Sequence, residues 1–156
     1  MNPRLRRLEA DAHQMGERAE TGLFTFEPNG DPPDRYTVSF TAPGIRLENR
    51  RVAVADQHRC EIYLHREYPR RPPVITWQTP IFHPNILGPD RNGGVCIGDW
   101  SASESLPDLV VRLIDLVSYG SFSIEDALDT DAAAWVSRLG IEPGFDCEEI
   151  LGVDVA

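Results

Sequence analysis

The stretch that most limits how this chain can fold runs from Phe82 to Glu104, FHPNILGPDRNGGVCIGDWSASE, and shows neither strand nor helix periodicity. Pro, Gly, Asn, Asp and Ser dominate it. A connection this long without regular structure is uncommon inside a compact domain and is more often functional than neutral. It also separates two kinds of sequence. Residues before it alternate apolar and polar with the period of strands, and residues after it repeat with the period of helices.

Ahead of that segment, Asn2 can cap a helix that Pro3 opens, with Leu5, Leu8, Ala12, Met15 and Ala19 on one face and Arg4, Arg6, Arg7 and Arg18 elsewhere on its surface. Period-two runs follow: Phe24 and Phe26, ended by the turn residues EPNGDPPD; then Tyr36, Val38 and Phe40, broken at Ala-Pro-Gly; then Cys60, Ile62 and Leu64; then Val74, Ile75 and Trp77. Short links between consecutive strands favour an antiparallel meander. Downstream, Ser105 and Pro107 open a helix with an apolar stripe of Leu106, Leu109, Val110, Leu113, Ile114 and Val117. A last helix, about Thr130–Leu139, presents Ala132, Trp135, Val136 and Leu139 and stops at Gly140, and the acidic tail holds a short helix around Cys147. The order helix, four strands, loop, helices is that of an α+β domain, and 156 residues suffice for one such domain over 1–156.

Composition removes several function classes. A net charge of −10 argues against a general nucleic-acid binder. The charge is uneven: residues 1–77 carry 12 Arg against 11 acidic residues, and residues 78–156 carry 3 Arg against 14. A basic N-terminal surface on an acidic body suits a protein partner reached electrostatically. No apolar run approaches the length of a membrane span, and the basic N-terminus has no apolar core of a secretory leader. The expected setting is therefore reducing and cytoplasmic. All 15 basic residues are Arg; an Arg-biased genome accounts for this, and an enzyme that modifies lysines would also gain by offering none.

The three cysteines form neither a disulfide framework nor a CxxC pair. Cys60 alternates with core residues and reads as a small buried hydrophobe. Cys96 lies in polar loop chemistry, between Gly93-Gly94 and Gly98, where it is open to three readings: packed residue, metal ligand or nucleophile. His83 is the one other His or Cys nearby, and one His with one Cys falls short of a zinc site. Glycines that admit a close backbone suit a groove for an extended peptide, and Val95 and Ile97 can anchor the loop while the sulfur faces outward. A Cys–His pair is formally available, but Pro84 pins His83, and a His in such a turn serves more often as its hydrogen bonder. The Asn85 amide can donate to a developing oxyanion or brace the loop.

The ordered segment EYPRRPPVITWQTPIFHPNI, followed by GGVCI and a nearby Trp100, resembles the core of the ubiquitin-conjugating enzymes. Tyr68-Pro69, Pro72-Pro73, His83-Pro84-Asn85 and Cys96 stand in that family's order, and Glu125-Asp126-Ala127-Leu128 is similar to the acidic segment heading its next helix. The resemblance spans 2–139 and weakens in the tail, 140–156. It implies a ubiquitin-conjugating-enzyme-like fold and a two-step acyl transfer. Cys96 would take the C-terminus of a ubiquitin-like modifier as a thioester from an activating enzyme and deliver it to a lysine of a target protein. Asn85 would stabilise the oxyanion or hold the loop, and Asp126, or Asp99, would orient the incoming amine. His83, Pro84, Asp99 and Trp100 would support the active-site loop, while Arg4, Arg6 and Arg7 would dock the activating enzyme. No metal or small cofactor is implied, since the partner consumes the ATP.

The chain departs from the pattern in particular places. The insert ILGPDRNGGV lengthens the approach to Cys96, the exit to Trp100 is short, and Ala102 stands where a Pro is usual. Arg70 and Arg71, with Ser101, Ala102 and Ser103, weigh against a RING-type ligase. These departures point to a divergent bacterial member without a separate ligase, and family analogy sets it in a compact operon, in phage defence. Two rivals stand beside this reading. An inactive binding module of the same fold would lack the cysteine, and a thiol hydrolase or redox protein would need a resolving cysteine or an orienting group for His83.

Overall fold

Helix α1, Pro3–Ala19, opens a computed structural model that describes residues 2–155. The Asn2 side chain accepts from Leu5 N–H at 2.8 Å and Pro3 occupies the first turn, so the helix begins where its sequence places it. Its buried face is Leu8, Asp11 and Met15, whereas Leu5 is 38% exposed. A carboxylate takes part of the face expected to be apolar. Asp11 is buried with both oxygens engaged: Oδ2 accepts from Tyr68 OH at 2.7 Å and Arg7 Nε at 3.1 Å, and Oδ1 accepts from Leu106 N–H at 3.4 Å.

Six strands follow: β1 (Thr25–Gly30), β2 (Pro33–Thr41), β3 (Ile45–Glu48), β4 (Arg51–Val54), β5 (Gln57–Tyr63) and β6 (Val74–Trp77). The main sheet is antiparallel in the order β1-β2-β5-β6. Its register pairs Tyr36 with Ile62, Val38 with Cys60, and Cys60 with Trp77, so alternate residues of each strand share the buried face. Residues 27–30, expected to form a turn, instead extend β1 as the sheet's edge, where Pro28 costs no ladder bond. The chain reverses at Asp31 and Pro32.

The second sheet, the β3–β4 hairpin, has no counterpart in the sequence reading. Asn49 and Arg50 turn it with φ of 53° and 64°, the paired positive values of a two-residue primed turn. Its signal is weak because each strand has four residues and Leu47 and Val54 are exposed, which leaves few inward positions. Ile45 and Val52 face inward and join Phe82, Tyr119, Trp135, Val136 and Cys147 in a second core. The larger core lies between the main sheet and the helices α1 and α2, the latter Leu106–Val117, and includes Met15, Val38, Ile62, Leu109 and Leu113.

Helix α3 spans Thr130–Leu139, and Gly140 ends it with φ of 66°. Leu139, expected in its apolar face, is 44% exposed because it sits on the last turn. The tail packs back onto the domain. Cys147–Ile150 is a 3-10 turn capped by Asp146, and beyond it Val52 N–H donates to Val153 O at 2.9 Å while Val155 N–H donates to Arg50 O at 2.8 Å. Residues 152–155 thus line the outer edge of β4. No helix among the described residues is long and apolar enough to cross a membrane.

Candidate active site

The His83-Pro84-Asn85 turn is wholly buried beneath the segment that carries Cys96. Each of its groups has an assigned partner. His83 Nδ1 accepts from Asn85 N–H at 2.9 Å, which leaves Nε2 as the protonated nitrogen, donating to Leu116 O at 2.6 Å. Its ring centroid lies 4.5 Å from that of Tyr119. Burial lowers the imidazole to about 3, against the opposing pull of the Leu116 carbonyl. A neutral ring with both nitrogens engaged cannot serve Cys96 as a base.

Pro84 O accepts from Leu128 and Asp129 N–H at 2.8 and 3.1 Å. Asn85 reaches the same neighbouring loop through its side chain: Nδ2 donates to Ser123 O and Oδ1 accepts from Ser123 N–H, both at 2.8 Å. The bracing role of Asn85 is therefore occupied, with one amide hydrogen left over. Asp126 lies between these anchor points, exposed, its N–H bonded to Ser123 Oγ at 3.2 Å. The loop bearing Asp126 is in this way stitched to the turn that precedes Cys96.

Cys96 follows by strand-like pairing. Its N–H donates to Asn85 O at 2.9 Å, Leu87 N–H donates to Gly94 O at 2.8 Å, and Ile86 bridges Val95. The lengthened insert is the end of this narrow ladder, a 3-10 turn at Pro89–Arg91 followed by Asn92 with φ of 73°. Arg91 on that turn pairs with Asp129 at 3.1 Å, tying the insert to the start of α3. Gly93 is needed for a specific reason: with φ of 71°, a Cβ there would meet Trp77 O at 2.6 Å. The close backbone that the Gly-Gly pair admits is the chain's own β6, where Trp77 N–H donates to Gly93 O at 2.7 Å. At Gly93 the space is taken by this strand and not by a foreign peptide.

Val95 and Ile97 pack against the larger core, and Cys96 between them is partly exposed. Cys60 and Cys147 are buried, which pushes their thiols up to about 12 and about 11. Past Cys96 the exit is held at two points. Trp100 Nε1–H donates to Pro69 O at 2.8 Å with its ring 6.0 Å from Tyr68, and Arg112 of α2 donates to the Asp99 carbonyl at 3.0 Å. The Asp99 residue is exposed.

The arginines of α1 stand apart from this cluster. Arg4 donates to the carbonyls of Leu64 and His65 at 2.8 and 2.7 Å. Arg7 donates to Tyr68 Oη at 2.8 Å and to the carbonyls of Ala102 and Glu104. Both guanidinium groups hold α1 to the body, while Arg6 is exposed. Ser123, Arg112 and Glu104 were not legible as site residues. The one local signal is the Ser-x-x-Asp spacing of Ser123 and Asp126, which suits a turn bond; Arg112 carries none, because its partners lie on another segment. Among the described residues, no three His, Cys, Asp or Glu side chains gather as a metal site.

The chain is similar to known proteins in sequence and fold. The sequence model of the ubiquitin-conjugating enzyme family matches residues 55–139, the span from the end of the β3–β4 hairpin to the end of α3. Ubiquitin-conjugating enzyme E2 13 of Schizosaccharomyces pombe is 32% identical over 114 residues, 66% of this chain and 74% of that protein. The SUMO-conjugating enzyme UBC9 of Caenorhabditis elegans is 28% identical over 81 residues, 48% of this chain and 46% of its own length. A solved structure described as a novel ubiquitin-conjugating enzyme covers 85% of this chain and 84% of its own with TM-score 0.61 at 21% identity, a likeness of fold. A match over more than half of the chain, centred on the turn and loop just described, shows that this protein belongs to the ubiquitin-conjugating enzyme family.

Proposed function

We propose that this protein accepts a ubiquitin-like modifier as a thioester on Cys96 and passes it to a lysine of a target protein. The observation that carries this reading is the contrast among the three thiols. Cys60 and Cys147 are buried and held protonated, whereas Cys96 is partly exposed at the end of a hydrogen-bonded ladder on the His83-Pro84-Asn85 turn. In the first step the Cys96 thiolate attacks the thioester carbonyl of the modifier-charged activating enzyme, and that enzyme's sulfur leaves. In the second, the lysine amine attacks the new thioester carbonyl, the Cys96 sulfur leaves, and an isopeptide bond remains.

The residues divide the work by position. Asn85 holds the Ser123 loop in place, and its spare amide hydrogen is the available donor to an oxyanion. Asp126 on the exposed part of that loop orients the amine and takes its proton, with Asp99 on the exit side as the other carboxylate. His83 is a structural member of the turn. The activating enzyme docks on α1, with Arg6 presented and Arg4 and Arg7 holding the helix.

The relatives include conjugating enzymes for ubiquitin and for SUMO, so the modifier is placed only in the ubiquitin-like class. We place the pathway in the cytoplasm of a bacterium, in a compact antiphage system without a RING-type ligase. Arg70 and Arg71 are exposed, and Arg7 occupies the Ala102 carbonyl in the adjoining loop. Transfer that occurs only after a RING ligase is added would remove the ligase-free part.

The direct test incubates the protein with an activating enzyme, ATP and modifier, followed by a non-reducing gel. A reductant-sensitive adduct should form, vanish in Cys96→Ala and become a reductant-resistant oxyester in Cys96→Ser. Asn85→Ala should still charge but discharge to amine more slowly, by a factor on the order of a hundred if the oxyanion donor is lost. Absence of any adduct in the wild-type protein would sink the acyl-transfer reading in favour of an inactive binding module.

A further inference from the structure

Arg112 belongs to α2, yet its hydrogen bonds are aimed at the segment leaving Cys96. Nη2 donates to the carbonyls of Ile97 and Asp99, and Nη1 donates to both carboxylate oxygens of Glu104 at 2.8 and 3.1 Å. The two carbonyls bracket Gly98. That glycine has φ of 80° and no atom within 4 Å of a would-be Cβ, so no packing on that side limits its motion. An unconstrained glycine two residues from a nucleophile would leave the sulfur loosely placed. The opposing side of the clamp is also secured: the Glu104 side chain is only 17% exposed, and the Glu104 backbone carbonyl accepts from Arg7 of α1.

We propose that Arg112 is a positioning residue for Cys96. Its planar fork binds the carbonyls on both sides of Gly98 while Glu104 fixes the fork, so the exit of the Cys96 segment keeps one conformation. This rests on the reading of Cys96 as the acyl acceptor. The geometry demands a guanidinium. Nη2 of the fork serves two carbonyls as Nη1 serves a carboxylate, a set of contacts that a lysine ammonium, a compact charge on a flexible stem, cannot make at once. The side chain lies outside both cores at 35% exposure, and α2 is held by Leu106, Leu109 and Leu113, so its replacement leaves the helix packed.

Two measurements on the full chain test this with Arg112→Lys, Arg112→Gln and Glu104→Gln. Hydrogen exchange of the Cys96 amide, bonded to Asn85 O, should accelerate about tenfold in all three while amides in the core-facing turns of α2 keep wild-type rates. Single-turnover discharge of the purified Cys96 thioester to free lysine should show a maximal rate reduced about tenfold, with the half-saturating lysine concentration unchanged. Lysine at 112 should fail to rescue either quantity. Wild-type exchange at Cys96 in Arg112→Gln, or wild-type discharge in Arg112→Lys, would overturn the proposal, as would loss of α2 protection together with that of Cys96. If the wild-type protein forms no thioester, the acyl-transfer reading fails, and the exchange measurement still decides whether Arg112 holds the segment.

Discussion

His83 shows how far a residue's chemistry departs from its type once the fold has surrounded it. Exposed, an imidazole titrates near 6.5; here burial lowers it to about 3. Because the folded state refuses the proton that the unfolded state accepts, this group's contribution to stability is complete above 6.5 and is lost as pH falls from there toward 3. The unfolding free energy should therefore fall by up to about 1.4 kcal/mol per pH unit across that window from this residue. The buried His58, also lowered by desolvation, adds in the same direction. His83→Gln keeps a donor for Leu116 O and loses the charge penalty. Chemical denaturation from pH 7 to 4.5 should show it less stable at neutral pH but with a flatter slope, by about one proton. The role of His83 as a turn hydrogen bonder was legible from Pro84 beside it. The tautomer was not, since Leu116 lies 33 positions away.

At the scale of elements, the helices were the most legible. Asn2, Ser105 and Gly140 mark ends that hydrogen bonds or backbone angles then confirm. The four strands of the main sheet were readable because their inward residues alternate. The β3–β4 hairpin was not, since it buries few residues and turns on Asn49-Arg50 instead of Asn-Gly. The Cys96 ladder escaped for another reason: it is built of single bridges to Thr76 and Ile86, too short for any period. Gly93 is its most constrained point. Gly93→Ala should cost on the order of 3 kcal/mol, combining a left-handed backbone with a clash against Trp77. Gly98→Ala is the matched control, with a similar φ and open space, and should cost about 1 kcal/mol. Urea denaturation of the two variants separates these effects, and equal losses would show that approach to β6 is not what demands the glycine.

The whole molecule has two cores, and the second depends on its ends. The Phe145 ring centroid sits 5.1 Å from that of Tyr119, and Ile150, Val153 and Val155 pack against the second core. Deleting residues 141–156 should lower the thermal midpoint by about 10 °C, as apolar surface at Trp135 and Tyr119 meets water. Scanning calorimetry of the truncated chain checks this, and an unchanged midpoint would show the tail to be peripheral. The tail's sequence, acidic and without period, gave no sign of that packing. By itself the sequence determined the order of helix, strands, loop and helices, and the motif series from Tyr68 to Cys96, because periodicity, caps and motifs are properties of neighbouring residues. The tertiary structure decided where the donors go: Arg7 to Glu104 across 97 positions, Asn85 to Ser123 across 38, and Arg112 to Ile97 across 15. Such bonds exist only after distant segments pack together, so no local window of sequence contains them.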